Sequence, residues 1–385
     1  MTLERNKEKT LLIVANIDWF LISHRLIIAK AAVKAGWRVI VACEDTGRGS
    51  EISVESIEFI DFKFSRSGTN PIDELKTIIK FKNLYKRVQP DIIHHISIKP
   101  VVYGSYAAKK LGSNMGVVNA ISGLGYAFTD GRVGLVQKLI IRLMRYGFKQ
   151  PNLSVIFQNN DDKQLLIDHN VIQPENTLHL IKGSGVDLNE YSFTKLPKTK
   201  ERLKILFPAR MLWDKGVAEL REATEFLQDK FANKVQFLLA GFTDEGNKAG
   251  VPSSYLNAWQ DGEYVKWLGH QSNMVALYKE CDIVVLPSYR EGLPKALIEA
   301  CAIGRPIVTT NAIGCKDCVD EGINGFKVPI KDGATLAKAL GKLISDEELR
   351  DEMSLAGRKK AEAEFDVKSV IKKHLDIYKS LLNST

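Results

Sequence analysis

The sequence predicts an α/β protein of two domains, each a parallel sheet covered by helices on both faces. Three observations carry that expectation. Short runs that are apolar throughout alternate with amphipathic stretches of helical length, the pattern of buried parallel strands. The series stops at a charged connector, residues 195–202, and then begins again. The chain has 385 residues, room for two domains of about 150 residues each.

Taken in order, the first series of expected strands covers residues 11–15, 38–42, 91–96, 116–121, 153–157 and 178–181. The second covers 203–207, 235–240, 264–268, 282–286, 306–309 and 326–328. The stretch 346–382 reads as two charged amphipathic helices that end the chain. The expected division is a first domain over 1–195, a second over 196–365, and a terminal helix over 366–385 that packs back on the first domain. Open parallel sheets bind ligands beyond the carboxyl ends of their strands, so two such sheets facing each other would form a cleft. No repeat of solenoid length and no low-complexity segment interrupts the pattern.

A hydrophobic fraction of 45% beside 26% charged residues is globular composition, which excludes disordered and fibrous classes. No apolar run reaches the roughly 18 residues of a spanning helix. The best candidate, 11–22, is broken by Asn16 and Asp18. The first ten residues lack the apolar core of a signal peptide. The five cysteines are an odd number, which fits a reducing compartment. Cys315 and Cys318 form a lone C-x-x-C without two further ligands at zinc spacing, and read as two unrelated thiols. The net charge of +8 is uneven: residues 1–150 hold 23 basic and 13 acidic groups, and the remainder holds 31 and 33. A basic half can face nucleic acid, an anionic membrane or a phosphorylated substrate.

The sharpest motif is Ser288-Tyr289-Arg290-Glu291-Gly292-Leu293-Pro294-Lys295, running on to Glu299 directly after an expected strand. Pro294 suits the start of a helix, and Gly292 suits a tight turn before it. The N–H groups at such a helix start favour an anion. At 1.5 Å per helical residue the Glu291 and Glu299 carboxylates would lie roughly 10 Å apart. That is too far for a retaining pair acting on one bond, and it suits the two ends of a long ligand. Solvated carboxylates on an ordinary strand–turn–helix fit the motif alone equally well.

The second motif, Arg210-Met211-Leu212-Trp213-Asp214-Lys215-Gly216, follows the first strand of the second series. Arg210 offers a planar fork for phosphate oxygens and Lys215 a point charge. Without context, both are equally ordinary surface cations.

Together these motifs resemble glycosyltransferase family 4, of the two-domain GT-B architecture, in which two Rossmann-like domains face an interdomain cleft. The shared features are Arg210, Lys215 and Gly216, then Glu291 and Glu299 in E-x7-E spacing. They extend to Trp267, Leu268, Gly269 and His270, to Gly185-Val186-Asp187, and to Gly304-Arg305-Pro306. The stretches His94-His95-Ile96-Ser97-Ile98-Lys99-Pro100 and Ser122-Gly123-Leu124-Gly125-Tyr126 look like the bacterial branch that builds capsule, O-antigen and other lipid-linked glycans.

The resemblance implies roles. Arg210 and Lys215 would hold a donor diphosphate and stabilise leaving-group charge. Glu299 would accept from ribose hydroxyls. Glu291, with the backbone of Gly292 and Leu293, would hold the donor sugar, and Trp267, Gly269 and His270 would border the base. Asn16, Asp18, His94, His95, Lys99 and Ser122 are candidates for the acceptor or sugar side. The family retains anomeric configuration without an enzyme nucleophile. The chain departs from its pattern at Asn16-Ile17-Asp18-Trp19-Phe20, which has no glycine, and at Ser122, where many members carry His. No Asp-x-Asp occurs in the sequence, so neither a metal nor another cofactor is expected, and the donor is a UDP-sugar by family expectation.

The basic first domain then has a reading. Residues 76–87 and 132–149 have helical spacing with interleaved cations and apolar side chains. Both fit an anionic leaflet bearing a polyprenyl-diphosphate acceptor, and both equally fit ordinary domain helices. The expected location is the cytoplasmic face of the plasma membrane, held peripherally. Nucleic acid is not expected, since no recognised binding module accompanies the charge. The resulting expectation is a hexosyl or N-acetylhexosaminyl transferase acting on a lipid-linked glycan. A nucleotide-sugar epimerase of the same architecture and a non-catalytic partner in glycan assembly are the alternatives.

Overall fold

A computed structural model of the chain describes residues 8–54, 56–64, 71–112, 114–124, 134–197, 201–244, 246–247 and 249–383. The chain forms two units, residues 1–184 with 369–385, and residues 185–368.

The first unit holds strands β1 (Thr10–Ile17), β2 (Arg38–Glu44), β3 (Ile57–Asp61), β4 (Ile92–Ile96), β5 (Gly116–Ile121), β6 (Leu153–Phe157) and β7 (Thr177–Leu180). They make one sheet in the order β3-β2-β1-β4-β5-β6-β7, and every pairing is parallel. Strand side chains alternate between faces, and both faces are covered. Leu11, Ile13 and Ala15 lie in one apolar cluster, and Leu12 and Val14 in another. This double burial is why the sequence shows continuous apolar runs.

The terminal helix Val367–Asn383 belongs to this unit from residue 369 onward. Its Val370, Ile377, Tyr378 and Leu381 complete the cluster that contains Leu11 and Ile13.

The second unit holds β8 (Leu203–Pro208), β9 (Val235–Ala240), β10 (Val265–Gly269), β11 (Ile283–Leu286), β12 (Ile307–Thr310) and β13 (Gly325–Val328). Their order is β10-β9-β8-β11-β12-β13, again all parallel.

Two expectations need correction. The boundary falls at 184/185, not at 195/196, because Val186 and Tyr191 already lie in the second core. The Val186 N–H donates to the Phe365 carbonyl at 2.9 Å, and the Val367 N–H donates back to Val186 at 3.1 Å. The same ladder carries the second unit to residue 368 instead of 365. Strand β3 was not anticipated. It is an edge strand carrying Glu58 and Asp61, so it lacks the apolar run that marks its neighbours.

Among the described residues, no helix is long and apolar enough to cross a membrane.

Candidate active site

Each sheet reverses its strand order once, at β1/β4 in the first unit and at β8/β11 in the second. Ligands of open parallel sheets bind at such switch points, beyond the strand ends. In the second unit both sequence motifs lie there. Arg210 follows the end of β8, and Ser288 and Glu291 follow the end of β11.

The chain joins the two loops tightly. After β8 it makes a short 3-10 turn, Trp213–Lys215, ended by Gly216 at φ +78°. A Cβ on Gly216 would collide with the Pro287 carbonyl, so only glycine lets the loop after β8 lie against the end of β11. The Tyr289 N–H donates to the Asp214 carbonyl at 2.9 Å, and its hydroxyl donates to Glu219 at 2.6 Å. This places the Lys215 ammonium 2.5 Å from Glu291 Oε1, and the Ser288 hydroxyl donates to the same oxygen at 2.8 Å. Both partners of the ion pair keep only 16% of their side-chain surface exposed.

Burial disfavours a charged Lys215, but attraction to Glu291 and Asp214 outweighs it, so its pKa rises and it stays a cation at neutral pH. Arg210 acts against that rise, so the two cations sense each other. Arg210 is more open, with 36% of its side chain exposed, and its Nη1 lies 3.4 Å from Asp244.

Gly292 does not take a left-handed backbone; the left-handed glycine against this loop is Gly314, in the chain after β12, at φ +80°. A Cβ there would meet the Glu291 carbonyl at 2.5 Å and the Gly292 carbonyl at 2.6 Å. The Glu291 N–H donates to Ile313 at 2.9 Å, so the chain after β12 cradles the Glu291 loop.

Pro294 stands just before the helix Lys295–Ile303, with extended backbone. Glu299 lies on that helix and is 6% exposed. Lys295, one turn earlier, approaches its carboxylate at 3.4 Å. Burial raises the Glu299 pKa against the opposing pull of Lys295 and the hydroxyls of Tyr191 and Tyr278. Leu293 is buried in the core. On the other side of β8, the Trp267 indole N–H donates to the Gly241 carbonyl at 2.8 Å. Gly241 in turn donates to Gly269 at 2.8 Å, and exposed His270 meets Phe242 edge to face at 6.0 Å.

Arg210, Lys215 and Glu291 are thus brought to one strand-end region. Sequence reasoning did not find Ser288, Tyr289, Asp244, Gly314, Tyr191 or Tyr278 as supports. Lys295 was missed too, although its i−4 spacing from Glu299 is a signal that could have marked it. Tyr191 and Tyr278 reach Glu299 from distant positions that no local spacing marks.

The first unit corrects three expected site residues. Asp18 is wholly buried, and its carboxylate accepts from the Trp19 N–H (2.6 Å), the Thr46 hydroxyl (2.7 Å), the Thr46 N–H (2.6 Å) and the Arg48 N–H (3.1 Å). Burial raises its pKa, these bonds lower it, and they prevail. It clamps two loops together. His94 and His95 are both 0% exposed within β4. His94 Nδ1 lies 2.8 Å from the Tyr378 hydroxyl, and His95 bridges Tyr85 (2.7 Å) and Asn119 (2.8 Å) on the opposite face. Neither imidazole is presented to a ligand.

Asn16, Lys99 and Ser122 do lie at or beyond the carboxyl ends of β1, β4 and β5 and are partly exposed. Gly125, Tyr126 and Arg132 fall outside the described residues. All five thiols are buried and none is in a disulfide, Cys315 and Cys318 included.

Most of the chain matches known proteins. Residues 189–360 match the family described as "Glycosyl transferases group 1", and residues 10–159 match "Glycosyl transferase 4-like". The chain belongs to this glycosyltransferase family, and it is an enzyme of the hexosyltransferase type. It is 29% identical over 344 residues to the N,N'-diacetylbacillosaminyl-diphospho-undecaprenol alpha-1,3-N-acetylgalactosaminyltransferase of Campylobacter jejuni, covering 85% of this chain and 87% of that one. It is 23% identical over 347 residues to the UDP-Gal:alpha-D-GlcNAc-diphosphoundecaprenol alpha-1,3-galactosyltransferase of Escherichia coli, covering 87% of each. The crystal structure of Anabaena HepE in complex with UDP and glucose superposes with a TM-score of 0.76 at 17% identity, over 96% of this chain and 99% of that chain. The fold is GT-B, two Rossmann-like domains.

Proposed function

We propose that this enzyme moves a hexose or N-acetylhexosamine from a UDP-sugar to a polyprenyl-diphosphate-linked glycan, with retention and without a metal, in bacterial surface-polysaccharide synthesis. The carrying observation is the buried Lys215–Glu291 pair beside Arg210 at the β8/β11 switch point. Two fixed cations at one strand end suit a diphosphate whose negative charge grows as the glycosidic bond breaks, and preorganised charge is worth most in such a half-buried place. Lys215 supplies the buried point charge. Arg210 supplies the planar fork from the more open side. Glu291 orients Lys215 and faces the donor sugar. Glu299, fixed by Lys295 and two tyrosines, takes hydroxyls of the nucleoside. The lipid-linked acceptor and the UDP donor are supported by the names of the Campylobacter and Escherichia relatives.

Peripheral attachment to the inner membrane face is supported by the helix Leu135–Phe148. Its Ile141, Met144 and Phe148 fill the core, while Val136 and Leu139 stay 48% and 53% exposed beside Lys138 and Arg142. An apolar ridge flanked by cations suits an anionic leaflet.

The test incubates purified protein with radiolabelled UDP- and GDP-sugars and bacterial lipid extract, with and without EDTA. Label passing from a UDP-sugar into the lipid phase in the presence of EDTA supports the proposal. Donor consumed equally without lipid indicates an epimerase or a hydrolase and contradicts it.

A further inference from the structure

The helices of the second unit leave a surface groove of about 1220 Å³. Helices Val217–Phe231 and Gly333–Ser345 line it, together with the start of Glu347–Glu364. Leu227, Phe231 and Ala337 in its lining are nearly buried, while Phe226 beside them keeps 60% of its surface in water. Gly341 also lines the groove, and the packing of the chain itself does not require glycine there. A Cβ would rest 3.5 Å from Leu227 and 3.8 Å from Phe231, which is ordinary contact. Alanine is the better helix former, so the glycine costs the fold and leaves the groove deeper.

The charges along the groove are sorted by sign. Lys230, Lys338 and Lys342 stand on the first two helices, and Glu347, Glu348 and Asp351 on the third. Among the described residues none of these six is in an ion pair. On other helix surfaces, charges one turn apart attract, as in Arg221–Glu225, Arg358–Glu362 and Lys372–Asp376. Here Lys338 and Lys342 are one turn apart with like signs, and so are Glu347 and Asp351; such pairs repel. Helix dipoles favour acids at a helix start and Lys342 near a helix end, but they account for neither Phe226 nor Gly341.

One patch thus carries a projecting ring and a recess, unpaired cations and unpaired anions. A surface that holds both halves of a contact complements itself, which is the condition for two-fold pairing of identical chains. We propose that this groove is the interface between two copies of this chain, with each Phe226 set over the opposite Gly341 and Ala337, and the lysines of each copy against the acids of the other. Glu347 and Asp351 also border Leu203 and Lys234, at the amino ends of β8 and β9. Lys215 and Glu291 follow the carboxyl ends of β8 and β11, so pairing through the groove leaves the donor site open.

The test is sedimentation equilibrium of the full chain from micromolar to sub-millimolar concentration, with the thermal midpoint measured on each variant. Wild type should dimerise, and more weakly as salt is raised. Phe226→Ser should raise the dimer dissociation constant roughly tenfold or more, the scale of one interface anchor. Lys338→Glu with Lys342→Glu should raise it too, and so should Glu347→Lys with Glu348→Lys. All four changes in one chain reverse both signs and should restore the dimer, which a merely structural effect of each swap would not do. A wild-type chain that stays monomeric overturns the proposal. A dimer indifferent to Phe226→Ser and to both swaps is formed elsewhere and overturns it as well. Failure of the fourfold variant, folded as judged by its midpoint, to dimerise removes the pairing of opposite signs between copies. A monomer that co-sediments with anionic vesicles through Lys338 and Lys342 marks the groove as a membrane face and contradicts the proposal.

Discussion

Lys215 and Glu291, 76 positions apart in the chain, meet at 2.5 Å with the Ser288 hydroxyl on the same carboxylate oxygen. Two strand-end loops are thereby tied by one ion pair, and that pair is where sequence motif, fold and proposed chemistry coincide. Replacing Lys215 by Ala should lower transfer by about two to three orders of magnitude, the usual effect of removing one preorganised charge stabiliser. Ser288 still satisfies Glu291, so the variant should fold. Circular dichroism and an initial-rate assay check this; near-wild-type rates in a folded variant would remove Lys215 from the mechanism.

Gly216→Ala tests whether the loop after β8 needs its close approach to Pro287. The left-handed backbone and the collision both oppose a side chain. The expected cost is roughly 1–3 kcal/mol, read as a lowered thermal midpoint, together with weakened UDP binding as Lys215 shifts. A midpoint equal to wild type would show that the loop has slack.

Three buried imidazoles set a pH dependence. Burial holds His95 down to about 4, with the Asn119 contact opposing, and holds His374 down likewise, to about 3. Burial also lowers His94, helped by His374 and Arg25. Unfolded, each titrates near 6.5. Between the folded and unfolded values the unfolded chain binds more protons, so stability is full above about pH 6.5 and falls as pH drops towards 4. Denaturant midpoints from pH 8 to pH 4 should decline along that course, and His95→Asn should flatten the decline. A flat wild-type profile contradicts the burial of these rings.

Removing residues 367–385 should unfold the first unit. Val370, Ile377, Tyr378 and Leu381 are nearly fully buried on its sheet, and Tyr378 is the partner of His94 Nδ1. At about 1.5–3 kcal/mol for each large buried side chain, the loss rivals the whole stability of a typical domain, about 5–15 kcal/mol. Soluble yield and far-ultraviolet dichroism of the truncated chain report the outcome; a folded, soluble product would show the helix to be dispensable.

Most of the fold was legible because parallel strands buried on both faces write themselves as apolar runs. Twelve of the thirteen strands among the described residues were expected, and β3 escaped because an edge strand carries charge. The boundary was placed too late because the eye follows the charged segment 195–202, while Val186 and Tyr191 already pack in the second core. Arg210, Lys215, Glu291 and Glu299 were singled out by motifs that follow expected strands together with the family resemblance, because spacing alone fitted ordinary surface charges equally well. Their supports were not: Asp244, Tyr191 and Gly314 join through tertiary packing that no local pattern encodes. His94 and His95 misled for the converse reason. Chemically capable side chains near a strand end look functional in sequence, yet here both lie inside β4 with protein partners.

The most direct measurement is a calorimetric titration of UDP, in EDTA, into wild type, Arg210→Ala and Lys215→Ala. If the two cations hold the donor diphosphate, wild type binds without metal and each substitution weakens UDP roughly tenfold or more, the scale of one charge-assisted contact. UDP affinity unaltered in both variants, or wild-type binding abolished by EDTA, would contradict the account.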